Sequence, residues 1–199
     1  MLFPLLCMGQ ETIQIGTGEN NVYKIPFNGL YDYSHEMFIY TESEMGGNAK
    51  EIYELGYYLE GYSQGYQIND LTIKLAHTTD NSFSSSTRVD LSGINYSELT
   101  TCLADYDLTI DENGWIKFTF STFFQYKGSG NLLVIVENRD GTWSPGFGYT
   151  QCSFDNSSYR SWMKYQDDSY PSGSGSGERN KNRPNLKLTY SINNPLPIN

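Results

Sequence analysis

Period-two alternation, repeated in short runs that glycine, asparagine and aspartate keep interrupting, constrains this chain more than any other feature. Leu71-Thr72-Ile73-Lys74-Leu75-Ala76-His77 is the cleanest run. Leu71, Ile73 and Leu75 share one parity, continued by His77, and Thr72 and Lys74 take the other, as in a half-buried strand. Leu186, Leu188 and Tyr190 alternate with Lys187 and Thr189 in the same way, and Thr12 to Ile15 alternates into the turn glycines Gly16 and Gly18. Asn131 to Val136 is instead a continuous apolar run after Gly128-Ser129-Gly130, the mark of a central strand covered on both faces. Helical signal is confined to Thr41-Glu42-Ser43-Glu44, which has capping-box spacing and is stopped by Gly46-Gly47 after one turn. The pattern predicts an all-β fold, an antiparallel β-sandwich or jelly roll of about eight to ten strands.

Other segments fill in the expectation. Ile52 to Leu59 reads as a strand with Leu55, Tyr57 and Leu59 on one face, followed by a loop from Glu60 to Asp70. The polar stretch Thr78 to Thr87 surrounds Phe83, which is expected to fold back as a plug over the end of the core. A weakly patterned strand lies in Leu99 to Ile110, and Asn113-Gly114 predicts a hairpin into Trp115 to Phe120. Ser161 to Tyr165 reads as a further strand, and Pro171 to Gly177 as a loop before Arg183 to Tyr190. Ile73, Leu75, Phe118, Val134, Val136 and Leu188 are the expected core, and Lys74, Lys117 and Lys187 the solvated parity.

The bias toward rings supports this, because the 17 Tyr, 10 Phe and 3 Trp fit a pleated surface. With 23 acidic against 13 basic side chains the net charge is −10, which argues against a nucleic-acid partner, since phosphate binding needs a concentrated basic patch. The first nine residues, MLFPLLCMG, resemble the apolar part of a secretory signal without its basic start, so 1–9 is read as a signal-peptide remnant and 10–190 as the β-sandwich domain. No later stretch approaches the ~20 apolar residues of a membrane helix. Residues 191–199, with Asn193, Asn194, Pro195 and Pro197, read as a linker or the start of a downstream region. Cys102 and Cys152 then form an even pair, and either a disulfide or two separate buried thiols fits the sequence.

Several pieces taken in order carry a resemblance. They are Gln14-Ile15-Gly16-Thr17-Gly18, Tyr31-Asp32-Tyr33-Ser34, the turn Thr41 to Gly46, Leu75 to Thr79 through Ser82-Phe83-Ser84, Gly114-Trp115, Phe124 to Gly128 with Asn131-Leu132, and Arg183-Pro184-Asn185. Together they resemble a β-sandwich module of secreted, surface-associated multidomain proteins from gut and oral Gram-negative bacteria, similar in style to cleaved-adhesin domains. The resemblance implies a jelly-roll-like, non-catalytic module, secreted or at the cell surface and covalently followed by further domains. It transfers no functional residue.

Reaction chemistry is sparse. His77 sits at a strand end on the inward parity and reads as a structural imidazole, and His35, beside Glu36 in an aromatic loop, reads as a surface residue. Glu51, Glu54, Glu60, Glu98 and Glu137 read as solvated carboxylates. Asp105 to Asp111 spaces carboxylates faintly like a calcium loop but lacks the glycine and final glutamate of an EF-hand, which leaves calcium open as a cofactor and assigns no ligand. The expected function is adhesion or ligand recognition without catalysis, with a glycan or a host surface protein as partner; the alternative is a carbohydrate-active protein, either a sugar-binding module or a small glycoside hydrolase. The ring-rich, glycine-rich stretch Trp143 to Tyr149 makes Trp143 and Tyr149 the first candidates for a ligand surface, with Trp162 behind them.

Overall fold

The computed structural model describes residues 9–84, 96–171 and 176–192. In chain order the strands are β1 Glu11–Ile15, β2 Asn20–Val22, β3 Tyr33–Tyr40, β4 Lys50–Glu60, β5 Tyr66–Thr78, β6 Thr100–Ile110 and β7 Gly114–Tyr126. They continue as β8 Asn131–Asn138, β9 Tyr149–Phe154, β10 Ser161–Gln166, β11 Glu178–Asn180, β12 Asn182–Pro184 and β13 Leu186–Ile192. One helical turn, α1 Glu42–Met45, lies between β3 and β4. The thirteen strands among the described residues exceed the expected eight to ten: β2, β11 and β12, at three residues each, are too short to show a period, and β3 and β9 are not among the expected runs.

Two antiparallel sheets face each other across one core, so the chain is a β-sandwich. The seven-stranded sheet runs β1-β13-β4-β9-β12, with β2 on β9 and β7 on β4; the six-stranded sheet runs β11-β10-β3-β8-β5-β6. All six expected core residues, Ile73, Leu75, Phe118, Val134, Val136 and Leu188, are fully buried in the cluster between the sheets. β8 is buried along its whole length, with Leu132, Val134 and Val136 facing the other sheet and Leu133 and Ile135 in a second apolar layer outside.

That outer layer corrects one expectation. Phe83 packs with Met37, Ile39, Ala76 and Trp162 on the outside of the six-stranded sheet and does not plug the core end. Its amide hydrogen bonds the Tyr159 carbonyl at 2.7 Å. The Asn113-Gly114 turn is also not a hairpin: β6 closes the six-stranded sheet and β7 pairs with β4 in the other, so the turn carries the chain across the sandwich. Local sequence specified the reversal; the sheet each arm joins is a tertiary choice. The expected loop from Glu60 to Asp70 shrinks to residues 61–65, because β5 starts at Tyr66 and tolerates polar residues by bulging where its register on β6 shifts between Ile68 and Leu71.

The capped turn forms as read. Glu44 accepts the Thr41 amide hydrogen at 2.8 Å, and Gly46 ends the helix at φ 72°. Glu44 also takes a two-pronged bond from Arg183, at 2.9 and 2.5 Å, which ties α1 to β12. Burial opposes that charge, yet Arg183 and Thr41 hold the Glu44 carboxyl down at about 2. The closing stretch is two strands, because Pro184 ends β12 on β9 before β13 pairs with β1 and β4 through Ile192. Residues 1–8 and 193–199, on which most of the signal and linker readings fall, lie outside the described residues, as do 85–87 and 172–175 of the two polar loops.

Candidate functional site

β2 is only three residues long, but pairing Val22 with Thr150 brings the next residue, Tyr23, beside Tyr149. The two rings meet edge to face, 6.5 Å apart at 77°, and Phe147 lies 6.4 Å from Tyr23. Tyr23 and Tyr149 are 38% and 43% exposed, which marks them as surface rings. Phe147 is wedged from behind, since a Cβ on Gly29 would stand 2.4 Å from the Phe147 Cβ. The Tyr149 ring lies against Gly61, where an added Cβ would come within 3.3 Å of it. Polar groups border the rings: Glu60 pairs with Tyr149 across β4 and β9, and the Asn21 amide donates to the Glu60 carboxylate at 3.4 Å.

Of the three residues singled out by sequence, the structure places two at the surface. Tyr149 belongs to the ring cluster just described. Trp143 is 52% exposed on the same connection from β8 to β9, but the ring contacts that join Tyr23 to Phe147 and Tyr149 do not include it. That connection is pinned where Ser63 donates its amide hydrogen to the Gly146 carbonyl at 2.8 Å. Trp162 is corrected to a packing residue: it is fully buried in the outer apolar layer, under Gly177, and offers no face to a ligand.

Glu60, read only as a solvated carboxylate, joins this surface by pairing with Tyr149, and Tyr23 and Asn21 were missed. Asn20-Asn21-Val22-Tyr23 has no period to read, and only the non-local pairing of β2 on β9 gives these residues a common surface.

The titratable groups also move from their expected places. His35 is buried on the outer side of β3, with Nδ1 2.6 Å from the Tyr170 hydroxyl. Burial pushes its pKa down to about 4, helped by Lys74 and Arg139 and opposed by Glu137. Glu137 is likewise buried rather than solvated, and takes bonds from Lys74 at 2.7 Å and Arg139 at 3.0 Å. His77 keeps its inward parity and stacks on Tyr126, with Phe124 tilted beside it. Cys102 and Cys152 are separate free thiols, both buried, and burial pushes the Cys102 thiol up to about 12 and the Cys152 thiol further. Asp107 accepts the Asp70 amide hydrogen at 3.2 Å. Among the described residues, no group of three or more His, Cys, Asp or Glu is placed to hold a metal ion.

No helix among the described residues is long and apolar enough to cross a membrane. No protein-family model matches the chain, and no curated protein does. Among solved structures the chain is similar to the crystal structure of the cysteine protease and lectin-like domains of Cwp84, a surface layer associated protein of Clostridium difficile, at 9% identity and a TM-score of 0.46. The match covers 92% of this chain and 36% of that one, so the chain spans about a third of that structure's length.

Proposed function

We propose that this chain is a non-catalytic recognition module that binds glycan on the surface formed by Tyr23 and Tyr149. The observation that carries the reading is the pairing of two exposed rings, fixed edge to face on a sheet, with the Asn21 amide and the Glu60 carboxylate at their border. A sugar ring has one apolar face of C–H groups and a rim of hydroxyls, so it needs a flat ring beneath it and hydrogen-bonding groups beside it. The net charge of −10 favours an uncharged or cationic partner over an anionic polymer. A role without catalysis is supported by the buried, protonated thiols and by two imidazoles already engaged by neighbours. Glycans of this kind are displayed outside cells, which is where the module would act, at the surface or secreted.

The test is titration with a panel of neutral oligosaccharides. Tyr149→Ala and Tyr23→Ala are each expected to weaken binding about tenfold with an unchanged unfolding midpoint. Binding that survives both substitutions would remove this surface from consideration. Release of reducing ends from any oligosaccharide in the panel would replace the reading with a hydrolase.

A further inference from the structure

At the far end of β4 from Tyr149 lies a cleft of about 360 Å3, between the 3-10 turn at Tyr96–Glu98 and the end of β7. A bulge shapes it: β7 pairs Phe124 with Ile52 but Thr119 with Glu54, so residues 120–123 are opposed by Tyr53 alone. Bulges re-aim side chains next to sites, and here Phe123 emerges 47% exposed at the cleft wall. The floor is built of rings. His77 lies 5.1 Å from Phe124 and 5.5 Å from Tyr126, nearly parallel to the latter at 18°. His77 Nε2 accepts the Lys127 amide hydrogen at 3.1 Å, which places the ring proton on Nδ1, 3.0 Å from the Glu98 carboxylate. With Nε2 taken by a backbone donor and the ring packed between neighbours, the imidazole is suited to a floor.

The rim decides the ligand class. Glu98 is paired with Lys127 at the cleft edge, so the two rim charges cancel and an ionic ligand would have to break that pair. An apolar floor with a charge-neutralised rim, lined also by Thr100 and Thr122, suits an uncharged polyol ring. We propose that this cleft is a second sugar site, taking one uncharged pyranose residue with its C–H face on Phe123. The proposal rests on the glycan reading for the choice of ligand, but it uses none of the residues of the Tyr23–Tyr149 surface.

Tyr149 pairs with Glu60 and Phe124 with Ile52, so the two sites are separated by eight residues of β4, roughly 26 Å at ~3.3 Å per residue. Two sites at that spacing would make the module bivalent toward a polysaccharide surface, gaining avidity without tighter single contacts.

The experiment is calorimetric titration of the whole chain with neutral gluco-, manno- and xylo-hexaoses, read for the number of sites per chain, with unfolding midpoints measured alongside. Wild type is expected to show two sites, Phe123→Ala one, and the Tyr23→Ala/Tyr149→Ala pair one. If Phe123→Ala leaves the site number unchanged while the tyrosine pair removes binding, the cleft proposal falls and the first surface stands. Loss of all binding in Phe123→Ala alone, at an unchanged midpoint, keeps the cleft and overturns the tyrosine surface. No binding by wild type at millimolar hexaose sinks both. Tighter binding of a sulfated than of a neutral oligosaccharide at the Phe123 site would overturn the assignment of an uncharged ligand.

Discussion

Glu36 and Glu137 occupy adjacent rungs of the same two strands on opposite faces of the six-stranded sheet, and they meet burial in opposite ways. Glu36 pairs with Val136, and Glu137 pairs with His35. Glu137 faces outward, is nearly enclosed, and is compensated by Lys74 and Arg139, so its carboxyl is held below the usual range although burial works against the charge. Glu36 faces the core. Its Oε1 takes the Asn28 amide hydrogen at 3.4 Å, whereas its Oε2, the Ser34 and Tyr57 hydroxyls and the Asn28 side-chain nitrogen are buried without a hydrogen-bond partner among the described residues. Burial, offset only in part by neighbouring donors, pushes the Glu36 carboxyl up to about 8. The contrast teaches that burial alone does not fix a carboxylate's state; the partners supplied by the neighbouring strands do.

The two carboxyls should therefore respond to pH from opposite sides. Folded Glu36 keeps its proton up to about pH 8, whereas an unfolded glutamate loses it near its ordinary value of 4.5. Between those values the folded state holds the extra proton, so stability falls as pH rises across the window and stays low above it. A shift of that size is worth roughly 4–5 kcal/mol for a fully buried group. Glu36→Gln preserves the shape and cannot ionise. It is expected to be more stable than wild type by roughly 4 kcal/mol at pH 9 and to converge with it near pH 4.5, in urea unfolding followed across pH. Parallel curves for the two proteins would mean that folded Glu36 ionises as an unfolded glutamate does, hydrated in place.

Glu137→Gln is the matching break on the outer face, and its effect has the reverse sign. The depressed carboxyl contributes stability that is present above the unfolded value and is lost as pH falls through the folded one. At pH 7 the substitution leaves Lys74 and Arg139 facing a neutral amide and is expected to cost about 3 kcal/mol, shrinking toward zero in acid. His35, pushed down to about 4 from 6.5, adds its own loss as pH falls between those values. The acid limb at pH 4 to 6.5 should thus survive in Glu137→Gln, with a His35 midpoint lowered further once its favourable carboxylate neighbour is gone. A cost at pH 7 that does not diminish in acid would assign Glu137 to packing instead of charge.

Parity explains what was legible in the sequence and what was not. Ile73, Leu75, Val134 and Leu188 were readable because one apolar face per strand is a local pattern, and the fold class followed from repeating it. Parity also places Glu36 and Glu137 on opposite faces, but it does not say that segment 25–28, where Ile25, Phe27 and Asn28 are buried, closes over the first. Nor does it say that Lys74 arrives from β5 beside the second. His35 was read as exposed because its neighbours are polar or aromatic, whereas β8 and β10 flank β3 and enclose it. The site followed the same rule: Tyr149 was found inside a ring-rich stretch, and Tyr23 was invisible because its relation to Tyr149 spans the whole chain between β2 and β9. Trp162 shows the reverse error, since a large ring near the end of a strand gives no local sign of which layer will cover it.

The smallest expected effect tests how much of the outer-face compensation one cation carries. By parity alone, Lys74 and Lys117 are equivalent outward lysines. In the structure Lys74 is 23% exposed and bonds buried Glu137 at 2.7 Å, whereas Lys117 is 65% exposed and stands 3.2 Å from Glu54. An exposed pair in water gains little, because solvent screens the attraction and two long side chains lose freedom. Lys117→Ala is therefore expected to stay within about 0.5 kcal/mol of wild type. Lys74→Ala should cost more, about 1–2 kcal/mol, since it leaves a nearly enclosed carboxylate with Arg139 as its remaining close cation. The two substitutions also differ in pH dependence: the Lys74→Ala cost should disappear in acid, where Glu137 is protonated and no longer needs a partner, while the Lys117→Ala difference stays flat. Equal costs for the two lysines at pH 7 would show that Arg139 alone suffices for Glu137, and the contrast between the two carboxylates would then rest on a single guanidinium.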